Sequence, residues 1–132
     1  GRGLLLLPRP KRRASRAARR EALHVSGLLA SDLSRRWLAS ELAEAVYLSE
    51  SQLRRVFSEA FGKPPLAYLT TLRTLRMAQL LRDTAMPIAE ISFTVGWSDP
   101  DFAARQFRRY VGRSPSEYRR FEQSRNSQPY PE

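Results

Sequence analysis

Apolar residues recur along this chain at helical spacing, and no pair of alternating stretches predicts strands. Ala22, Val25, Leu28 and Leu29 share one face of a predicted helix over 20–31. Trp37 and Leu38 lead into a short second helix, with Ser40 as expected N-cap before Glu41 and with Leu42, Ala43 and Val46 inward. Ser49 caps a third, in which Leu53, Val56, Phe57 and Phe61 face in, and Gly62 ends it. Pro64 and Pro65 open a long fourth helix to about residue 83, with Leu66, Leu69, Leu72, Leu80 and Leu81 as its buried stripe. Pro87 opens a fifth, with Ile88, Ile91, Ser92 and Val95 inward, and Gly96 breaks it. Asp99 caps a sixth, Pro100 takes its first turn, Ala103, Phe107 and Val111 face in, and Gly112 closes it. Ser114 and Pro115 open a short seventh helix ending near Phe121, with Tyr118 packing back. The predicted fold is all-α, seven helices.

Part of this pattern occurs twice. Arg55, Phe57, Gly62, Pro65 and Tyr68 return fifty positions later as Arg105, Phe107, Gly112, Pro115 and Tyr118. Each set closes a pair of short helices joined by a tight turn, the signature of a helix-turn-helix unit. The first unit spans about 40–61 and the second about 87–111, joined by a linker helix over about 64–83. The turns read "VYLS" and "VGWSD", the second longer by one residue and carrying glycine at the bend.

Charge adds a partner. The 132 residues carry 23 basic against 13 acidic side chains, net +10, and only Lys11 and Lys63 are lysines. Arginine's planar fork suits phosphates and guanine edges better than lysine's point charge. A polyanion, nucleic acid first, is the expected partner. The basic stretch over 1–20 reads as a flexible arm with a helical reading near Arg16 to Arg20, 21–122 as a DNA-binding domain, and 123–132 as a disordered tail.

Catalysis and cofactors find no support. There is no cysteine, a single histidine (His24) and no phosphate-binding glycine loop, and the carboxylates are scattered over helix surfaces. No catalytic residues, cofactor or metal are expected, and the chain does not read as an enzyme. No apolar run reaches the ~20 residues of a bilayer span. "LLLL" at 4–7 is followed at once by Pro8 and a basic run, so it is neither a span nor a signal peptide. A cytoplasmic location is the default expectation.

The outward faces of the two repeated helices supply the candidate readers. With Leu53 and Phe57 inward, Ser51, Gln52, Arg54, Arg55 and Ser58 face out. With Ala103 and Phe107 inward, Asp101, Phe102, Ala104, Arg105 and Arg108 face out. The N-terminal half of a recognition helix supplies the side chains that reach base edges, which favours Arg54, Arg55 and Arg105. A good arginine–guanine pair discriminates by roughly 1–3 kcal/mol. A linker helix of about 20 residues is ~30 Å long, close to the ~34 Å turn of B-DNA. Two readers in successive major grooves are therefore expected. The alternative is a helical adaptor that grips an acidic protein or RNA.

"PIAEISFTVGWSDPDFAARQFRRYVGRSPSEYRR" closely resembles the second half of the AraC/XylS regulator DNA-binding domain, and "LASELAEAVYLSESQLRRVFSEAFGKPPLAYLTTLR" fits its first half. The likeness covers about 22–121. It implies two helix-turn-helix subdomains joined by a linker helix, in a transcription factor that binds double-stranded DNA. Activation through RNA polymerase is the further expectation. Family base contacts fall at positions matching Ser51, Arg54 and Arg55, then Pro100, Asp101, Ala104 and Arg105. Pro100 has no donor and Asp101 repels phosphate, so the second unit is expected to rely on Arg105, with neighbours making apolar or cytosine-directed contacts. Ala103 stands where the family usually has Phe or Leu, and Phe102 is expected to fill the gap and tilt the helix. Met77 stands where alanine is common. Most members carry an effector-binding or dimerisation domain, for which these residues leave no room. An excised domain and a short stand-alone regulator both remain open.

Overall fold

The computed structural model describes residues 15–126, and expectations that fall on 1–14 and 127–132 lie outside the described residues. The described chain forms α1 (Arg16–Ser31), α2 (Ala39–Ala45), α3 (Glu50–Phe61), α4 (Pro65–Asp83), α5 (Ile88–Thr94), α6 (Pro100–Val111) and α7 (Pro115–Asn126). They divide into two compact units, with the boundary inside α4 between Leu72 and Arg73.

In the first unit α1 and α2 pack on α3. Ala22, Val25, Leu29, Leu42, Leu53, Phe57, Tyr68, Leu69 and Leu72 lie in one buried cluster. Phe57 stacks on Phe61 with centroids 4.8 Å apart and meets the edge of Tyr68 at 5.3 Å. Removing one such ring from water contributes roughly 1.5–3 kcal/mol. Burial pushes the Tyr68 phenol pKa up.

Two boundaries and one side chain here differ from the sequence reading. α1 starts at Arg16, earlier than the expected start at 20 and in line with the helical reading of Arg16 to Arg20; the Ser15 hydroxyl accepts from the Ala18 amide at 3.1 Å, and Ala18 joins Ala22, Val25 and Leu29 on the buried face. The N-cap of α2 is Leu38, not Ser40. Glu41 reaches back to the Leu38 amide at 2.9 Å and binds Arg35 at 2.8 Å, so the capping carboxylate fixes the start two residues earlier. Leu66 is 42% exposed, outside the buried stripe. Pro65, Tyr68, Leu69 and Leu72 set that stripe, and Leu66 points about a third of a turn away from it.

In the second unit α5 and α7 pack on α6. Met77, Leu81, Ile91, Val95, Ala103 and Phe107 are buried, as is Trp97. Tyr118 meets Phe107 edge-on at 5.3 Å and accepts a 2.7 Å hydrogen bond from Arg82. Arg119 donates to the carbonyls of Leu81 and Thr84 at 3.1 and 3.2 Å, closing the C-terminal end of α4. Ser114 and Glu117 exchange bonds at the start of α7, Oγ accepting from the Glu117 amide at 3.2 Å and the carboxylate from the Ser114 amide at 3.4 Å. α7 runs to Asn126 rather than ending near Phe121, so 123–126 are helix, not tail. Arg113 and Arg125 flank the Phe121 ring at 4.0 and 5.8 Å, and Arg125 pairs with Glu122 at 3.8 Å, which supports the added turn.

Candidate nucleic-acid interface

The internal repeat is a repeat of geometry. α2 and α5 are each seven residues and α3 and α6 each twelve. The second turn, 95–99, has one residue more than the first, 46–49, so the offset between units grows from 49 to 50 across it. Both bends place their second residue at positive φ: Tyr47 at 59° and Gly96 at 112°. Ser49 and Asp99 then cap the two readers. The Ser49 hydroxyl accepts from the Gln52 amide at 3.1 Å, and Asp99 Oδ1 accepts from the Asp101 amide at 3.0 Å. Gly62 and Gly112 end them in the left-handed conformation, at φ 81° and 90°. Their amides donate to Ser58 and Arg108 carbonyls at 2.7 and 2.8 Å.

These caps fix which way each helix turns. Leu53 and Phe57 are buried in α3, and Ser51, Gln52, Arg54 and Arg55 are exposed. Arg55 stands opposite the buried face, and Arg54 lies to one side, lining a recess with Ala39, Ser51, Pro64, Pro65 and Leu66. Ser51 Oγ is 3.4 Å from Ser49 Oγ. Gln52 Oε1 accepts from the Ser49 amide at 3.0 Å, so base reading by Gln52 competes with its capping bond.

Ala103 and Phe107 are buried in α6, Asp101, Arg105 and Arg108 are exposed, and Ala104 is half-buried. Arg108 reaches Glu117 at 3.3 Å, an exposed pair of small energetic weight. The Glu117 carboxyl is held below its ordinary pKa by hydrogen bonds from Ser114, with Arg108 and Arg120 adding to the effect. Phe102 does not fill a gap beside Ala103. Ala103 is fully buried, whereas Phe102 is 41% exposed, because α6 keeps the phase of α3 and that phase turns residue 102 outward.

The two outward faces differ in charge. α3 carries Arg54 and Arg55 against Glu50 and Glu59, net zero, whereas α6 carries Arg105, Arg108 and Arg109 against Asp101, net +2. Among the described residues no cluster of His, Cys, Asp or Glu is arranged to hold a metal ion, and no helix is long and apolar enough to cross a membrane.

Residues 42–120, more than half of the chain, match the model of a family described as "Helix-turn-helix domain". The chain belongs to the AraC/XylS family of helix-turn-helix regulators. It is 35% identical over 89 residues to a putative AraC-like transcription regulator of Streptomyces antibioticus, covering 67% of this chain and 29% of that protein. It is 30% identical over 96 residues to the lactose operon transcription activator of Staphylococcus xylosus, covering 73% of this chain and 34% of that protein. The chain thus spans about a third or less of these relatives. The AraC/XylS fold is also that of the DNA-binding domain of the global transcriptional factor AdpA, solved in complex with a target DNA. That match has a TM-score of 0.76, 28% identity, and coverage of 83% of this chain and 98% of that one. Within the AraC/XylS frame, Arg109 is an exposed residue of α6 that the sequence reading did not place on the outward face, and Phe102 is outward as the helical phase predicts. Phe102 aligns with Gln52 of α3.

Proposed function

We propose that this chain is the DNA-binding part of a bacterial transcriptional regulator, working in the cytoplasm on the nucleoid. α3 and α6 enter neighbouring major-groove segments of one duplex. The observation that carries this reading is the doubled helix itself: twelve residues, a side-chain cap at the start, a left-handed glycine at the end, and an exposed arginine at the sixth position, Arg55 and Arg105. Arg54, Arg55 and Arg105 address base edges, with Ser51 and Asp101 beside them. Arg108 and Arg109, toward the C-terminal end of α6, suit phosphates. The DNA-bound AdpA domain supports the choice of duplex over an acidic protein or RNA. The name of the Staphylococcus xylosus relative favours activation, for which a contact with RNA polymerase is the natural route.

Selection of duplexes from a random library tests the reading. The expected result is one enriched motif, protected over more base pairs than a single helix-turn-helix covers, with binding that weakens steeply as salt rises. Equal affinity for random duplex, or preference for RNA, rejects it. Transcription from a template carrying the motif then separates activation from repression.

A further inference from the structure

Phe102 is the third residue of α6 and leaves 41% of its surface exposed, so a large apolar ring is partly offered to the outside on the reading face. Its neighbour Arg105 keeps the guanidinium carbon 5.9 Å from the ring centroid, at the outer limit of a cation–π contact. Phe121, by contrast, has a guanidinium at 4.0 Å. The repeat puts Phe102 in register with Gln52, so the two readers present a different chemistry at the same place. An apolar ring on a major-groove face matches one feature of the bases: the 5-methyl group of thymine, which projects there and is met by apolar side chains.

We propose that Phe102 is a specificity-determining residue that reads a thymine methyl beside the guanine read by Arg105. This assignment rests on the DNA-binding reading above and adds to it the composition of the second half-site. Residues three apart on a helix are neighbours on one face. Phe102 and Arg105 are separated by about 4.5 Å of helix rise, comparable with the ~3.4 Å spacing of bases along a strand. The thymine therefore lies within about one base step of that guanine. Asp101, Arg108 and Arg109 share this outward side of α6, and the arginines supply the attraction to phosphate that an aromatic ring lacks.

The test replaces thymines of the selected duplex one at a time by deoxyuridine, which removes only the methyl group. The guanine is located first, as the position where Arg105→Ala relaxes base preference. For the unaltered protein, one thymine next to that guanine should show a loss of about fourfold on replacement, the transfer value of one methyl group. Phe102→Ala should bind thymine and deoxyuridine duplexes alike, while Arg55→Ala keeps the penalty. An unaltered protein indifferent to deoxyuridine at every thymine near that guanine overturns the assignment, as does Phe102→Ala retaining the full penalty. If Phe102→Ala fails to fold by circular dichroism, the unaltered protein's deoxyuridine profile decides alone. Failure of the library to yield any motif would instead sink the DNA-binding reading itself, and this assignment with it.

Discussion

Gly96 leaves no room for a side chain beside the guanidinium of Arg73: a methyl group on Gly96 would approach Nε to 2.7 Å and Cζ and Nη2 to 2.8 Å. Gly96 also sits at φ 112°, where side chains are strained regardless of space. Burial lowers the Arg73 pKa from its ordinary value, which marks a guanidinium packed into the fold. Gly96→Ala should therefore destabilise the second unit by about 1–3 kcal/mol, read from urea unfolding. An unchanged midpoint would show that Arg73 swings away freely.

Tyr47 occupies the equivalent bend of the first unit, at φ 59° and 95% exposed. Its ring contributes no burial to offset the left-handed backbone, which costs roughly 1–2 kcal/mol for a residue with a Cβ. Asparagine tolerates that region better. Tyr47→Asn should raise stability by about 0.5–1 kcal/mol, visible as a higher melting temperature. A lower one would give the tyrosine ring a stabilising contact.

Arginines on the two readers should separate by kind. Arg55→Ala and Arg105→Ala should each cost about 1–3 kcal/mol on the cognate site and relax base preference locally. Arg109→Ala should weaken cognate and random duplex alike and reduce the log–log salt slope by about one. Binding isotherms at several salt concentrations check both. A uniform loss for Arg105→Ala would make it a phosphate contact.

Glu117 predicts a pH dependence. Its folded pKa lies below the unfolded value, which for glutamate is about 4.3. Its contribution is therefore complete above that value and disappears as pH falls through the lower, folded one. Thermal melts should show no Glu117-dependent change from pH 6 to 8. Glu117→Gln should be less stable than the parent at neutral pH, with the difference shrinking as the carboxyl is protonated in acid. A constant difference from neutral pH into acid would deny the carboxylate its role.

Where chemistry is local, the sequence was sufficient. Ser49, Asp99, Gly62 and Gly112 cap their helices as expected because each acts through its own side chain, or the lack of one, on amides and carbonyls a few residues away. Leu38 was missed because leucine has no capping oxygen; the signal lay in Glu41, three residues on. Leu66 was misplaced because leucine spacing alone does not reveal that Tyr68 and Thr71 are buried, the latter's hydroxyl accepting from Lys63 Nζ at 3.1 Å. Phe102 was placed outward by the helical phase, yet was also expected to fill the gap beside the small Ala103; the structure keeps it outward. The phase shared with α3 was already in the residue numbers and outweighs that second expectation.

The extra residue of the second bend has a practical meaning for anyone redesigning this molecule. Because the length difference is spent before Ser49 and Asp99, everything between those caps and the closing glycines is interchangeable in size. Outward side chains of one twelve-residue rod can be transplanted onto the other so long as Gln52 keeps its bond to the Ser49 amide, so new operators become a matter of rewriting surfaces rather than rebuilding a scaffold.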